Sequence, residues 1–357
     1  MNSEGAEAAT MRDDSVAGAG ARRDDSRVRG ASAVPGATTE LLAMGQLFLD
    51  FVFAGLPGAP RPGEEQWTGA FGWGPGGIAN MAIASARLGA STALSAVVGD
   101  DALSALCLER LQADGVDISG VRAVPGWTIP VTASLVFTGD RALVTGGTPA
   151  PQILSDLLDP TARPEAAIVH VDDATHDVVR RLAAAGTRVF AALGWDSSGA
   201  WSTAVLHGLD GCYAFAPNHV EAMALTRTDT PEGALEALSE HVPLSVVTLG
   251  ARGVLALDAE SGERVHAAPI RVSAVDLTGA GDVFIAALAV ACLRDWTLSQ
   301  RIDLAALAAA ITVTRPGGAA TAPTGAELAR WLSGHPDAAE SQRFGFLRDA
   351  LPPIGGS

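Results

Sequence analysis

Val275-Asp276-Leu277-Thr278-Gly279-Ala280-Gly281-Asp282 runs straight into the uninterrupted apolar stretch 283–293. The reading is a tight turn that opens a buried helix. The first backbone N–H groups of a helix lack partners, and the macrodipole makes that end positive. Two glycines let a ligand come close to the backbone. Together these features make an anion hole suited to a phosphoryl group in flight. Asp282 sits in the first turn beside it, where a carboxylate can accept a proton from an attacking hydroxyl. Ordinary helix capping would also put Asp in a first turn and Gly before it, so the run alone leaves both readings open.

The rest of the chain narrows the choice. All 24 basic residues are arginine. A Walker A loop and a protein kinase both need a lysine on the phosphates, and Schiff-base chemistry needs a lysine amine. None of these is available. A net charge of −16 repels nucleic acid and anionic membranes, so neither is expected as a partner. No stretch of about 18 apolar residues suggests a membrane span. Cys107, Cys212 and Cys292 are far apart and share no metal spacing, which suggests free thiols in a reducing cytoplasm. No Gly-x-Gly-x-x-Gly follows the first strand, so a dinucleotide-binding dehydrogenase has no support.

Strand-like and helix-like segments alternate along most of the chain. Expected strands are 41–52, 92–98, 167–171, 188–193, 211–215, 244–249, 253–257 and 264–268. Expected helices are 78–88, 101–112, 177–185, 220–225, 281–294, 304–313 and 326–332. Strands separated by helices predict an α/β fold with a mostly parallel sheet covered on both faces. Two stretches break the rhythm: 51–75, rich in Gly, Pro and aromatics, and 128–149, which reads as a hairpin around Thr138-Gly139-Asp140. They are the candidates for a small β lid. Residues 1–40 carry almost no large apolar side chains and predict a disordered tail with no signal peptide. The domain then spans 41–333, and 334–357 is expected to be a loose end.

The run Asp276-Leu277-Thr278-Gly279-Ala280-Gly281-Asp282, followed by its small-residue helix, resembles the C-terminal signature of the ribokinase-like, PfkB-type carbohydrate kinases. Other landmarks of that family follow the right order. Gly74-Pro75-Gly76-Gly77-Ile78-Ala79-Asn80-Met81-Ala82 is similar to the turn that binds substrate hydroxyls, and Arg87-Leu88-Gly89 and Val98-Gly99-Asp100-Asp101 follow it. Asp50 matches the substrate-binding aspartate at the end of the first strand. Pro217-Asn218-His219-Val220-Glu221 resembles the Asn-x-x-Glu motif, and Val246–Gly253 resembles the strand and turn under the nucleotide. The resemblance covers about residues 45–332 and implies a ribokinase-like three-layer sandwich with a small β lid.

The resemblance also assigns roles. Asp282 is the base, and the Gly279, Ala280 and Gly281 amides form the anion hole. Asp50, Gly76, Gly77 and Asn80 hold the acceptor, with Arg141 adding charge from the lid. Asn218, Glu221, Thr248, Gly250 and Gly318 lie along the nucleotide. The expected cofactors are ATP and Mg2+, with Glu221 reaching the metal through water, and K+ near Asp276. The expected substrate is a sugar or nucleoside, and a homodimer through the lid is a further expectation. Asn218 and Glu221 also read as a plain capping box. Two departures stand out. Phe48 replaces the Asn found in ribose-binding members, and Ala191 and Ala192 occupy a strand where many members carry an acid, with Asp196 farther on. A nucleoside kinase, its base stacked on the aromatic loop 67–73, and a non-catalytic binding relative are the alternatives.

Overall fold

The central strands send alternate apolar side chains into two different cores. In Leu41–Met44, Leu41 and Ala43 enter one cluster, Leu42 and Met44 the other. Ala166–His170 divides likewise, Ala166 and Ile168 against Ala167 and Val169. A strand with apolar residues on both faces needs helices on both faces. The computed structural model describes residues 39–137, 140–151, 154–159, 161–172, 175–194, 199–335 and 342–350. Residues 1–38 of the expected tail at 1–40, together with Thr138, Gly139 and Asp196, lie outside the described residues.

The strands, in chain order, are β1 (Leu41–Met44), β2 (Leu47–Leu56), β3 (Ala70–Gly77), β4 (Thr92–Ser95), β5 (Val97–Gly99), β6 (Arg122–Val124), β7 (Val131–Phe137), β8 (Asp140–Gly146), β9 (Ala166–His170), β10 (Arg188–Ala192), β11 (Ala214–Phe215), β12 (Leu244–Thr248), β13 (Val254–Asp258) and β14 (Arg264–Ala267). The helices are α1 (Ile78–Arg87), α2 (Ala102–Ala113), α3 (His176–Ala184), α4 (Ala204–His207), α5 (His219–Thr226), α6 (Pro231–Leu238), α7 (Ala280–Cys292), α8 (Leu298–Thr312), α9 (Gly325–Gly334) and α10 (Gly345–Ala350).

Eight strands form the main sheet in the order β14-β13-β12-β11-β10-β9-β1-β4. From β12 to β4 every pairing is parallel, and β13 and β14 close one edge as antiparallel strands. Helices α1, α2, α7, α8 and α9 bury their apolar side chains in one core, and α3, α5 and α6 in the other. A separate four-stranded sheet has the order β3-β2-β7-β8, and β5 and β6 make a third, two-stranded one.

Several expectations need correction. The single strand at 41–52 is two strands in two sheets: the chain leaves the main sheet at Gly45-Gln46 and enters the small one. Both halves are apolar, so composition gives no sign of the break. The strand at 92–98 likewise divides into β4 and β5. Helix α8 starts at Leu298, six residues before the expected start, where Thr297 and Gln300 make a capping box. Helix α6 was not expected; Thr230 caps it and Pro231 opens it. The loose C-terminal end is wrong for 342–350. Phe344 and Leu347 are buried there, and Arg343 Nε donates to Asp303 at 2.7 Å.

Candidate active site

Two helix N-termini meet at the carboxyl ends of the parallel strands. At the start of α7, Gly279 has φ 72°, and a Cβ there would lie 2.7 Å from the Ala319 nitrogen. Only glycine satisfies both the backbone and the space. The turn so formed leaves the first N–H groups of α7 without helical partners, with Asp282 in the first turn. At the start of α1, Gly77 fills the same position, and Asn80 lies one turn in. Asn80 Nδ2 donates to Asp282 Oδ2 at 2.8 Å. Residues 202 positions apart are thereby joined in one hydrogen bond.

Asp50 reaches the same place from β2. It lies opposite Gly74 and Thr132 in the small sheet, and the Thr132 hydroxyl, 3.1 Å from Thr145 Oγ1, is near enough to favour its charged form. Gly76 is two residues along on the same face, and a side chain there would collide with the Asp50 carboxyl group. Burial and the Asp282 charge raise the Asp50 pKa to about 7, with the Thr132 hydroxyl opposing. Burial raises the Asp282 pKa as well; the Asn80 amide and the Arg141 charge pull it back. Arg141 stands on β8, and its charge reaches both Asp282 and Glu221.

The residues expected along the nucleotide cluster beside these. Asn218 caps α5 and makes the full capping box with Glu221, so the capping interpretation is structurally present. Asn218 also bridges Thr248 at the end of β12. Glu221 is pushed up by burial and by the Asp282 charge, with Asn218 donors opposing. Next to the start of α7 is a cavity of about 420 Å³. Thr248, Gly250, Ala280, Gly281, Phe284 and Ala309 are among its lining residues. Asp276 is buried and accepts from the Thr278, Gly317 and Gly318 nitrogens at 2.9, 3.1 and 3.1 Å. It fastens the turn at 276–281 to the turn at 316–322.

Sequence reading missed Thr132 and Ser134. Ser134 Oγ lies 3.3 Å from Thr278 Oγ1, and both β7 residues share the face of Asp50. Alternation along β7 places them together; only the register to β2 reveals which face counts. The aromatic loop turns the other way. Phe71 packs on Phe51 and Phe53, and Trp67 is 85% exposed. Phe71 and Trp73 therefore sit on the opposite face of the small sheet from Asp50. A base held near Asp50 would not meet the Phe71 and Trp73 rings on that face. Phe48, by contrast, shares the Asp50 face and packs against Gly77.

Residues 43–325 match the pfkB family carbohydrate kinase profile, and the chain belongs to that family. It is a phosphotransferase acting on an alcohol group. The ribokinase of Lactococcus lactis is 26% identical over 81% of this chain and 96% of its own length. The probable fructokinase-4 of Arabidopsis thaliana is 27% identical over 85% of this chain and its full length. Among solved structures, Arabidopsis thaliana ribokinase complexed with ribose and ATP superposes with a TM-score of 0.70 at 24% identity, covering 82% of this chain and 98% of that one. The fold is the ribokinase-like α/β sandwich. No helix among the described residues is long and apolar enough to cross a membrane.

Proposed function

We propose that this chain phosphorylates a hydroxyl of a sugar or sugar-like molecule with MgATP, using Asp282 as general base. The observation that carries it is the Asn80–Asp282 bond of 2.8 Å, which puts the acceptor-binding turn and the phosphoryl-binding turn at one point. Asp50, Gly76, Gly77 and Asn80 hold the acceptor hydroxyls; a carboxylate accepts from two vicinal hydroxyls at once. Asp282 takes the hydroxyl proton. The Gly279, Ala280 and Gly281 amides neutralise the phosphoryl oxygens in flight. Arg141 adds positive charge from the small sheet, which acts as the lid and excludes water. The lid function of 51–75 and 128–149 rests on Asp50, Thr132 and Ser134 all facing the cleft from that sheet.

The donor set fits a magnesium nucleotide. Glu221 is close enough to Asp282 to feel its charge, and magnesium takes oxygen ligands while keeping several waters. Glu221 would act through such a water, with Asn218 holding it in place. Thr248, Gly250 and the cavity beside them receive the nucleotide, and Gly318 closes its edge. When bound, MgATP supplies the phosphoryl group and the metal's charge. A carboxylate offers about four acceptor sites. Three at Asp276 are taken by N–H donors, which leaves room for only one contact to K+.

The test is ADP release by the purified chain with ATP, Mg2+ and a panel of pentoses, hexoses, sugar phosphates and nucleosides. Turnover of at least one sugar-like acceptor is expected. ADP formation that no acceptor stimulates would sink the proposal.

The finer reading for assembly is a homodimer through the outer face of the small sheet. Phe51, Phe53, Phe71 and Trp73 share that face, and Phe71 and Val144 are 51% and 61% exposed. An apolar sheet face is stabilised by a second sheet packed about 10 Å away. Sedimentation velocity should give a dimer that Phe71→Glu converts to monomer. A monomeric wild type at micromolar concentration removes this interpretation.

A further inference from the structure

The turn at 316–322 is where four parts of the molecule meet. Its Gly317 and Gly318 amides bind Asp276, and its Ala319 fills the space against Gly279. Gly72 of β3 abuts Gly317, and Gly74 abuts Ala320, so the small sheet rests on it too. Its carbonyls face a cluster of charges. Arg87 Nε donates to Ala322 O at 2.6 Å, and Arg110 Nη2 to Ala320 O at 3.4 Å.

The same arginines are tied to acids. Arg87 Nη1 donates to Asp114 Oδ1 at 3.0 Å, and Arg110 Nε to Asp114 Oδ2 at 2.7 Å. Arg87 Nη2 meets Glu327 Oε2 at 3.3 Å, and Arg315 Nη1 meets Glu327 Oε1 at 2.7 Å. Glu327 Oε2 also accepts from the Thr324 N–H at 2.9 Å. All three nitrogens of Arg87 are engaged. The Arg87 side chain is 20% exposed and that of Asp114 8%, so the pair is largely screened from solvent.

Arg87 ends α1, the helix that carries Asn80 in its first turn. Seven residues are about two turns, so both lie on one side of that helix, about 10 Å apart along it. One rigid element therefore carries an acceptor contact at its start and an anchor for the 316–322 turn at its end. We propose that Arg87 is a positioning residue for phosphoryl transfer: it fixes the 316–322 turn, and through it the Gly279 turn, relative to Asn80. It touches neither reacting group. The proposal rests on the kinase reading above.

The test compares Arg87→Met, Arg87→Lys and Arg110→Met with wild type. The readouts are kcat, acceptor KM and amide hydrogen exchange of the peptide covering 316–322. A displaced catalytic turn costs rate rather than binding. Arg87→Met should lower kcat about 10- to 100-fold. Acceptor KM should move less than about threefold, since misplacement of the turn leaves uniform binding intact. Gly317 and Gly318 should exchange faster. Arg87→Lys should not restore kcat, because an ammonium cannot reproduce a three-nitrogen fork. Arg264→Ala, which breaks an exposed pair with Glu236, should change nothing.

Wild-type kcat in folded Arg87→Met, or full activity in Arg87→Lys, overturns the proposal. If Arg87→Met does not fold, Arg87→Lys decides, and wild-type kcat and exchange there overturn the proposal. Arg110→Met removes the Ala320 contact and the Asp114 Oδ2 bond but leaves Arg87 on Ala322, so it should cost less kcat than the Arg87 variants; an equal or larger loss puts the anchor at Arg110 and overturns the proposal. If wild type phosphorylates no acceptor, the kinase reading fails by itself. The exchange arm still judges the tether, and unchanged exchange in the variants rejects it.

Discussion

Asp282→Asn should abolish most phosphoryl transfer while leaving the protein folded and able to bind. Asn matches Asp in shape, and its oxygen can still accept the Asn80 Nδ2 proton that Oδ2 accepts at 2.8 Å. What it cannot do is take the proton of an acceptor hydroxyl. Loss of a general base costs roughly 10²- to 10⁴-fold, so kcat should fall by about 10³. The proposed anion hole consists of backbone amides at the start of α7, which the change leaves in place. Acceptor KM should therefore move far less than kcat. Coupled ADP-release kinetics at saturating MgATP measure both. A kcat within tenfold of wild type removes Asp282 as the base and would leave it a capping residue, the competing interpretation its sequence position allows. Burial of the Asp282 carboxylate already raises its pKa, so neutralising it should not unfold the chain.

The candidate site was legible in the sequence where its geometry is local. The Gly279-Ala280-Gly281-Asp282 turn, the Gly76-Gly77 turn and the Asn218–Glu221 cap each carry their geometry within a few residues. A helix expected at 78–88 is found at Ile78–Arg87, because its glycine entry and Gly89 stop are written in the chain. What the sequence did not disclose is pairing at a distance. Thr132 meets Asp50 only because β2 and β7 pair parallel in one register, and a one-residue slip would present the other face. The break at Gly45-Gln46 escaped for a related reason. Leu41–Met44 and Leu47–Leu56 are both largely apolar, and only their different sheet partners separate them. Phe344 and Leu347 escaped because a short polar helix gains its stability from the surface it docks on. The Arg87 cluster joins α1, α2 and α9, and spacing along the chain gives no sign of it.

Asp50→Asn is the second large effect, and it should act in opposite directions on activity and stability. The carboxylate binds acceptor hydroxyls in the proposed site, and charge-assisted hydrogen bonds contribute about 1.5–3 kcal/mol each. Losing the charge should lower kcat/KM by at least about 10²-fold. Stability follows from the raised pKa. Asp50 titrates near 3.8 when unfolded and near about 7 when folded. Between those values the folded state holds a proton that the unfolded state has lost. Wild-type stability therefore falls as pH rises from about 4 to about 7, then stays level with respect to this group. Each unit corresponds to about 1.4 kcal/mol, which makes the full loss roughly 4 kcal/mol as an upper figure. Asparagine carries no charge to bury. Asp50→Asn should melt several degrees above wild type at pH 8, and the difference should shrink at pH 5, where Asp50 is protonated. The same titration predicts an acid limb in wild-type kcat/KM near pH 7, belonging to Asp50, whose pKa burial and the Asp282 charge raise. Scanning calorimetry at the two pH values isolates the charge from any change in packing. A variant that melts below wild type at pH 8, or whose advantage is the same at both, would show that burial does not strain Asp50, and the acid limb would then need another owner.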